Sequence, residues 1–245
     1  MTTNSAVRRA MEMGEGNGVR VRRLFPSPEL PAYDPFALLD EFFIPEDAGF
    51  PEHEHRGFEA YTYVREGALV HSDTSGGKGT IDSGGLQHFV AGRGLAHSEM
   101  PVKGRGLCHG FQVWVNLPRT LKNESPSYRM WAPDQLPSAV EQGCTARHIV
   151  GNGSPSSSTI PLIFQDIHLD PHAHHFVSIS PEMEGFLYCY SGEIEASDVQ
   201  IREGECFLLP HAAETVLYAG RESRLILLAG VPLKEPIRIV GAAVE

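Results

Sequence analysis

The chain has 245 residues, enough for one large domain or two of ordinary size, and its 41% hydrophobic and 21% charged residues give a globular balance. A formal net charge of −11 argues against direct nucleic-acid binding, because neutralising phosphates needs a basic surface. No apolar run approaches the roughly 18–20 residues of a membrane helix, and the opening MTTNSAVRRAMEMGEG lacks the apolar core of a secretion signal, which points to the cytoplasm.

In chain order, GVRVRRLF reads as a first strand with Arg20, Arg22 and Arg23 on its outward face. DPFALLDEFF (Asp34–Phe43) has an Asp cap and helical apolar spacing, so it predicts a short helix or a loop with one turn. From there short β-type runs dominate, punctuated by Gly, Pro, Asn and Asp: GFEAYTYVREGALVHSD, GTIDSGGLQHFVAG and CHGFQVWVNL, then PLIFQDIHLD, GFLYCYSGEIEASD and RLILLAGV. Alternation places Tyr61 and Tyr63 on one strand face and Ala60, Thr62 and Val64 on the other. Gly76–Gly77 and Gly84–Gly85 read as hairpin turns rather than phosphate cradles, since neither opens a helix.

Leu117–Thr159 is rich in Pro, Ser, Asn and Gly, and GNGSPSSST is its plainest linker. The β-rich halves on either side share a pattern in which an aromatic strand, a Gly-containing turn and a second strand recur, as duplicated barrels would give. The expected organisation is an all-β fold with a first barrel over 1–130, a linker or loop region over 131–159 and a second barrel over 160–245. The four cysteines, Cys108, Cys144, Cys189 and Cys206, contain no CxxC pair and read as isolated buried thiols. Cys189 and Cys206 are the one pair that neighbouring strands can bring together.

The residues that carry chemistry lie in GFPEHEHRGFE and AGRGLAHSEMP. His53 and His55 are two apart, so on a strand both imidazoles face the same side. His97 and Glu99 repeat that spacing some forty residues later. Three imidazoles and a carboxylate form a transition-metal donor set that leaves coordination positions open, an arrangement suited to catalysis. A single HxH arises easily by chance, whereas HxH followed by HxE on a Gly-rich turn is far more specific. Glu59, four residues after His55, competes with Glu99 for the carboxylate role, and spacing leaves both open.

Other positions read as structural. Arg56 can hold an anionic substrate but sits beside Glu52 and Glu54, with which an arginine more often pairs. His71, His88 and His109 stand alone in strand-like runs. His172 and His174 form another HxH, but no HxE follows in the second half, so that half reads as a barrel kept for packing.

At these residues the sequence resembles the pirin family, in the bicupin branch of the cupin superfamily. The resemblance is carried by RVRRLFPSPELPAYDPFALLDEFFIPEDAGFPEHEHRGFEAYTYVREG, AGRGLAHSEMP, FQVWVNLP and GVPLKEPI. It implies two stacked antiparallel β-barrels of jelly-roll type with little helix. The first would be metal-binding and the second metal-free. It assigns His53, His55, His97 and Glu99 as ligands of one divalent transition metal, most commonly Fe(II), with Ni, Mn, Co, Cu and Zn as alternatives. It also implies two roles: an oxidoreductase resembling quercetin 2,3-dioxygenase (a quercetinase), and a non-catalytic, metal-dependent protein-binding module that acts as a transcriptional co-regulator.

Some residues depart from the family pattern. Glu54 replaces a proline between the motif histidines, Ser83-Gly84-Gly85 replaces a Pro-Gly-Asp turn, and the chain stops at GAAVE, which predicts loss of the tail that packs back on the first barrel. The leading expectation is a dioxygenase that opens a flavonol-like aromatic substrate with O2. Glu99 would be its base, and Phe58, Tyr61, Tyr63, Phe89, Phe111 and Trp114 are candidates to line its pocket. The rival is the protein-binding module, and an open apolar channel to the metal favours catalysis over it.

Overall fold

Runs of β-branched and aromatic residues favour extended backbone, whose polar groups must then find partners on neighbouring strands. The computed structural model, which describes residues 6–211 and 214–245, meets that need almost entirely with antiparallel sheet. Among the described residues the helical content is two short 3-10 turns, Arg119–Leu121 and Pro133–Gln135. No helix is long and apolar enough to cross a membrane.

The chain forms two units, and a single cut does not separate them. Met11–Gln135 joins Leu233–Glu245 in one unit, while Leu136–Pro232 joins the described residues up to Ala10 in the other. Each unit pairs a seven-stranded with a four-stranded sheet. In the first unit the large sheet runs in the order Ser127–Trp131, Leu86–Val90, Phe58–Glu66, Cys108–Asn116, Phe36–Ile44, Val19–Phe25, Met11–Glu15. Its small sheet runs Phe50–His55, Leu95–Pro101, Ala68–Asp73, Lys78–Asp82. The second unit repeats this order, with one difference. Its counterpart of Ser127–Trp131 is Val7–Arg9, which comes from the start of the chain and pairs with Glu205–Leu208. The duplication read from the sequence is therefore a duplication of topology. Residues 131–159, expected as a linker, carry the strands Ser138–Glu141 and Cys144–Val150.

Asp34–Phe43 is not helical: Phe36–Ile44 is a central strand between Val19–Phe25 and Cys108–Asn116. A strand buried on both faces needs apolar side chains on both, so the period-2 signal vanishes and the run mimics a helix. The arginines also divide. Arg20 and Arg22 lie on the outward face, where Arg20 stacks 3.9 Å from the Phe43 ring centroid. Arg23 turns inward and forms a bidentate pair with Asp40 at 2.8 and 2.6 Å.

Cys189 stands opposite Glu205, and Cys206 opposite Tyr188. One residue of register sends their thiols to opposite faces, and all four cysteines are free and buried. The second unit's interior is an apolar cluster that includes Ile167, Leu187, Ile194, Ile201, Leu217 and Leu225.

The last residues of this sequence lie within the first unit. Leu233–Glu245 packs against the first unit, where Val244 N–H donates to the Arg56 carbonyl at 2.9 Å and Lys122 Nζ donates to the Val244 carbonyl at 3.0 Å. Gly57 makes this docking possible. Its φ of +82° is a left-handed conformation, and a Cβ there would fall against the Val244 carbonyl. Gly57→Ala should lower stability by about 2–3 kcal/mol and the melting temperature by roughly 5–10 °C. An unchanged thermal transition would contradict this account of the tail.

Candidate metal centre

Strand register assembles the cluster. Phe50–His55 pairs with Leu95–Pro101 so that His53 stands opposite His97. Leu95–Pro101 pairs on its other side with Ala68–Asp73, placing Asp73 opposite His97 and His71 opposite Glu99. Ring centroids of His53, His55 and His97 lie 4.5–4.7 Å apart. One ligating nitrogen from each of the three lies within 4.8 Å of the others. A second group of that size joins His71, His97 and Glu99, so Glu99 gathers with His97 and His71 rather than with the His53–His55 pair.

Hydrogen bonds assign the tautomers. His53 Nδ1 donates to the Pro51 carbonyl at 2.8 Å and His55 Nδ1 to the Ala242 carbonyl at 3.2 Å, which leaves their Nε2 lone pairs free. His97 Nε2 lies 3.1 Å from His53 Nε2. A divalent ion bound by both nitrogens would hold them at about that separation. Burial, then His55, His53 and His71, hold His97 far below the ordinary imidazole range, so the ring is not a cation itself. Burial and then His53 likewise lower His55 to about 4. Three imidazole nitrogens gathered this closely are a donor set that fits a divalent transition ion.

Glu99 is buried and accepts hydrogen bonds from Thr62 Oγ1 at 3.2 Å and from Gln87 Nε2. Burial raises its pKa to about 7, against the opposing pull of those two donors. Glu59 is elsewhere: it bonds His88 Nε2 at 2.9 Å on the opposite sheet face. The strand of His55 ends at Arg56–Gly57 before the next begins at Phe58, so counting faces by twos across that break fails.

The expected aromatic lining splits in the same way. Phe58, Phe89 and Trp114 surround His55, at centroid distances of 5.2, 5.8 and 5.0 Å. Tyr61, Tyr63 and Phe111 face the other side of the sheet, where Tyr61 stacks on His88 and Tyr63 stands opposite Phe111. His88 and His109 are structural, each paired with a glutamate, Glu59 and Glu41 respectively. His71 is not. It is fully buried, 3.3 Å from His97 Nδ1 and 2.8 Å from Asp73 Oδ2. The HSD triplet, with His71 and Asp73 two apart on one strand, was the available signal. Arg56 pairs with Glu245 at 3.3 Å rather than with Glu52 or Glu54. His172 bonds the Tyr218 hydroxyl at 3.2 Å and His174 packs beside the same ring.

A cavity of about 580 Å³ opens onto His53, His55 and Glu99. Leu38, Phe42, Ile44, Leu69 and Trp114 give it apolar walls, with Gln112 and the Arg23–Asp40 pair among its polar groups. Burial, opposed by Arg23, raises Asp40 to about 6.

Two barrels of one topology, one with a histidine cluster and an open cavity inside it, define a bicupin. The Pirin family model matches residues 18–115, and the model of the Pirin C-terminal cupin domain matches residues 164–245. A Pirin-like protein of Solanum lycopersicum is 36% identical over 237 residues, covering 93% of this chain and 81% of that protein. The chain belongs to the pirin family. A quercetin 2,3-dioxygenase structure from Acinetobacter baumannii superposes with TM-score 0.88 at 29% identity, over 97% of this chain and 90% of that one. The bacterial pirin YhhW of Escherichia coli, solved in complex with nickel(II), shares the fold with TM-score 0.77 at 18% identity, over 92% and 98% of the two chains.

The raised pKa of Glu99 has a sign that can be checked. A carboxyl whose folded pKa lies above its unfolded value of 4.5 costs nothing below pH 4.5, and its cost is complete above about pH 7. Metal-free Glu99→Gln should therefore gain stability relative to metal-free wild type as pH rises from 4.5 to 8, by up to about 3 kcal/mol. A stability difference that stays constant across that range would refute the assignment.

Proposed function

We propose that this chain is a metal-dependent dioxygenase that opens the ring of a flavonol-like or other enolisable aromatic substrate with O2. The observation that carries the reading is the apolar-walled cavity of about 580 Å³ that reaches the histidine cluster, a size within the roughly 300–1,000 Å³ of small-molecule sites. The likeness to a quercetin 2,3-dioxygenase at 29% identity supports it. A plugged site would have favoured the protein-binding module instead.

In this proposal His53, His55 and His97 hold one divalent ion, and Glu99, which gathers with His97 and His71, turns to complete the set, with Fe(II) the leading candidate. The ion would supply Lewis acidity that favours the deprotonated form of the substrate's enolic hydroxyl. Trp114, Leu38 and Phe42 stack and enclose the aromatic body, which excludes water from the reacting face. Glu99 would swing off the ion to take the hydroxyl proton, with Thr62 and Gln87 placed to receive the freed carboxyl. The electrons that reduce O2 come from the substrate enolate, and both oxygen atoms enter the products. The four buried free thiols support placing the protein in the reducing cytoplasm.

The test is metal analysis of wild type and His97→Ala, paired with oxygen uptake on addition of quercetin. Wild type should hold about one metal per chain and consume O2, and the variant should lose at least ~10-fold in metal affinity and ~100-fold in rate. Bound metal without oxygen uptake would overturn the dioxygenase reading. Wild type without metal would overturn the centre itself.

A further inference from the structure

His71 and Asp73 stand behind the cluster, on the side of His97 away from His53 and His55. Asp73 Oδ2 lies 2.8 Å from His71 Nε2, and His71 Nδ1 lies 3.3 Å from His97 Nδ1. Asp73 Oδ1 accepts from Ser75 N–H at 2.7 Å, Ser75 Oγ at 2.6 Å and Gly77 N–H at 2.9 Å, as an ionised carboxylate fixed by its turn would. The His71 ring is wholly buried and stacks on Tyr128 at 4.4 Å and 11°, so it has no freedom to turn away.

Proton positions along this line follow from donor and acceptor chemistry. A carboxylate only accepts, so His71 Nε2 carries the hydrogen and donates to Asp73. With its one ring hydrogen committed at Nε2, His71 presents a lone pair at Nδ1. His97 Nδ1 must therefore carry a hydrogen and donate it. The Nε2 of His97, 3.1 Å from His53 Nε2, is left as a lone pair facing the cluster.

We infer that Asp73 and His71 are positioning residues that set the tautomer of His97, holding its proton on Nδ1 and turning Nε2 toward a bound metal. The inference rests on the metal reading above and adds to it a device that makes one ligand competent before metal arrives. A carboxylate behind a ligating histidine commonly plays this part. Here a second histidine is interposed, which carries the carboxylate's direction one ring further into an apolar interior.

Asp73→Asn tests the direction of the chain with little change of shape. The asparagine oxygen still accepts from Ser75 and Gly77, but its amide nitrogen donates to His71 Nε2. His71 must then donate from Nδ1, and His97 is forced to carry its proton on Nε2. The expected results are a His97 ¹⁵N signature switched from the Nδ1–H to the Nε2–H tautomer in metal-free protein, and nickel(II) affinity lowered about 10- to 100-fold. His71→Leu should lose about as much, whereas His71→Gln, whose amide oxygen can accept from His97 Nδ1–H, should stay within about threefold of wild type. An unchanged His97 tautomer in D73N would overturn the inference, as would equal losses in H71Q and H71L. Two nickel(II) ions per wild-type chain would also overturn it, since His71 would then be a ligand itself. If wild type binds no nickel(II), the metal reading fails, while the tautomer measurement on metal-free protein still decides the chain of hydrogen bonds.

Discussion

Two imidazole nitrogens, His53 Nε2 and His97 Nε2, meet 3.1 Å apart, and the proton of His53 is committed to the Pro51 carbonyl on the far side of its ring. That close approach is the constraint around which the histidine cluster is organised. Side chains free to rotate would relieve it by turning away, so each ring is held from behind: His53 by the Pro51 carbonyl, His55 by the Ala242 carbonyl, His97 by His71. Packing holds the rings as well, with His55 in edge contact with Phe58 and Trp114, themselves stacked at 4.1 Å. Imidazoles held this rigidly would meet a cation without reorganising, which is the physical meaning of preorganisation.

The C-terminal residues take part in this. Ala242 comes from the far end of the chain, yet its carbonyl fixes the tautomer of His55, and Gly57 gives the nearby Val244 carbonyl room to approach. Across the large sheet, register sets Arg23 opposite Asp40, Asp40 opposite Gln112, Gln112 opposite Thr62 and Thr62 opposite Gln87. This polar row lies on the interior face, and its last two members hold Glu99. Buried polar groups cost free energy unless partnered, and here they partner one another along a line that ends on the cluster's carboxylate.

Much of this was legible in the sequence because two residues apart on a strand means one face. His53 with His55 and His97 with Glu99 follow from that rule, as does the duplication of a strand–turn–strand pattern. The failures share a cause. Glu59 was assigned to the wrong face because Gly57 interrupts the strand and resets the count. Phe36–Ile44 looked helical because burial on both faces erases alternation. His71 was passed over as a lone histidine, although its carboxylate partner is two residues away, because its other partner, His97, arrives only through cross-strand register. The placement of Val7–Arg9 in the second unit and of the tail in the first depends on pairing between distant segments, which no local pattern encodes.

Membership of the pirin family and a bicupin fold set the frame, and the chemistry proposed within it depends on where a metal sits. Anomalous diffraction from crystals grown with nickel(II) tests that most directly. The account predicts one strong peak in the first barrel, roughly 2.0–2.2 Å from a nitrogen of His53, His55 and His97 and from a carboxylate oxygen of Glu99. A peak at another place, or none with the protein saturated in solution, would contradict it.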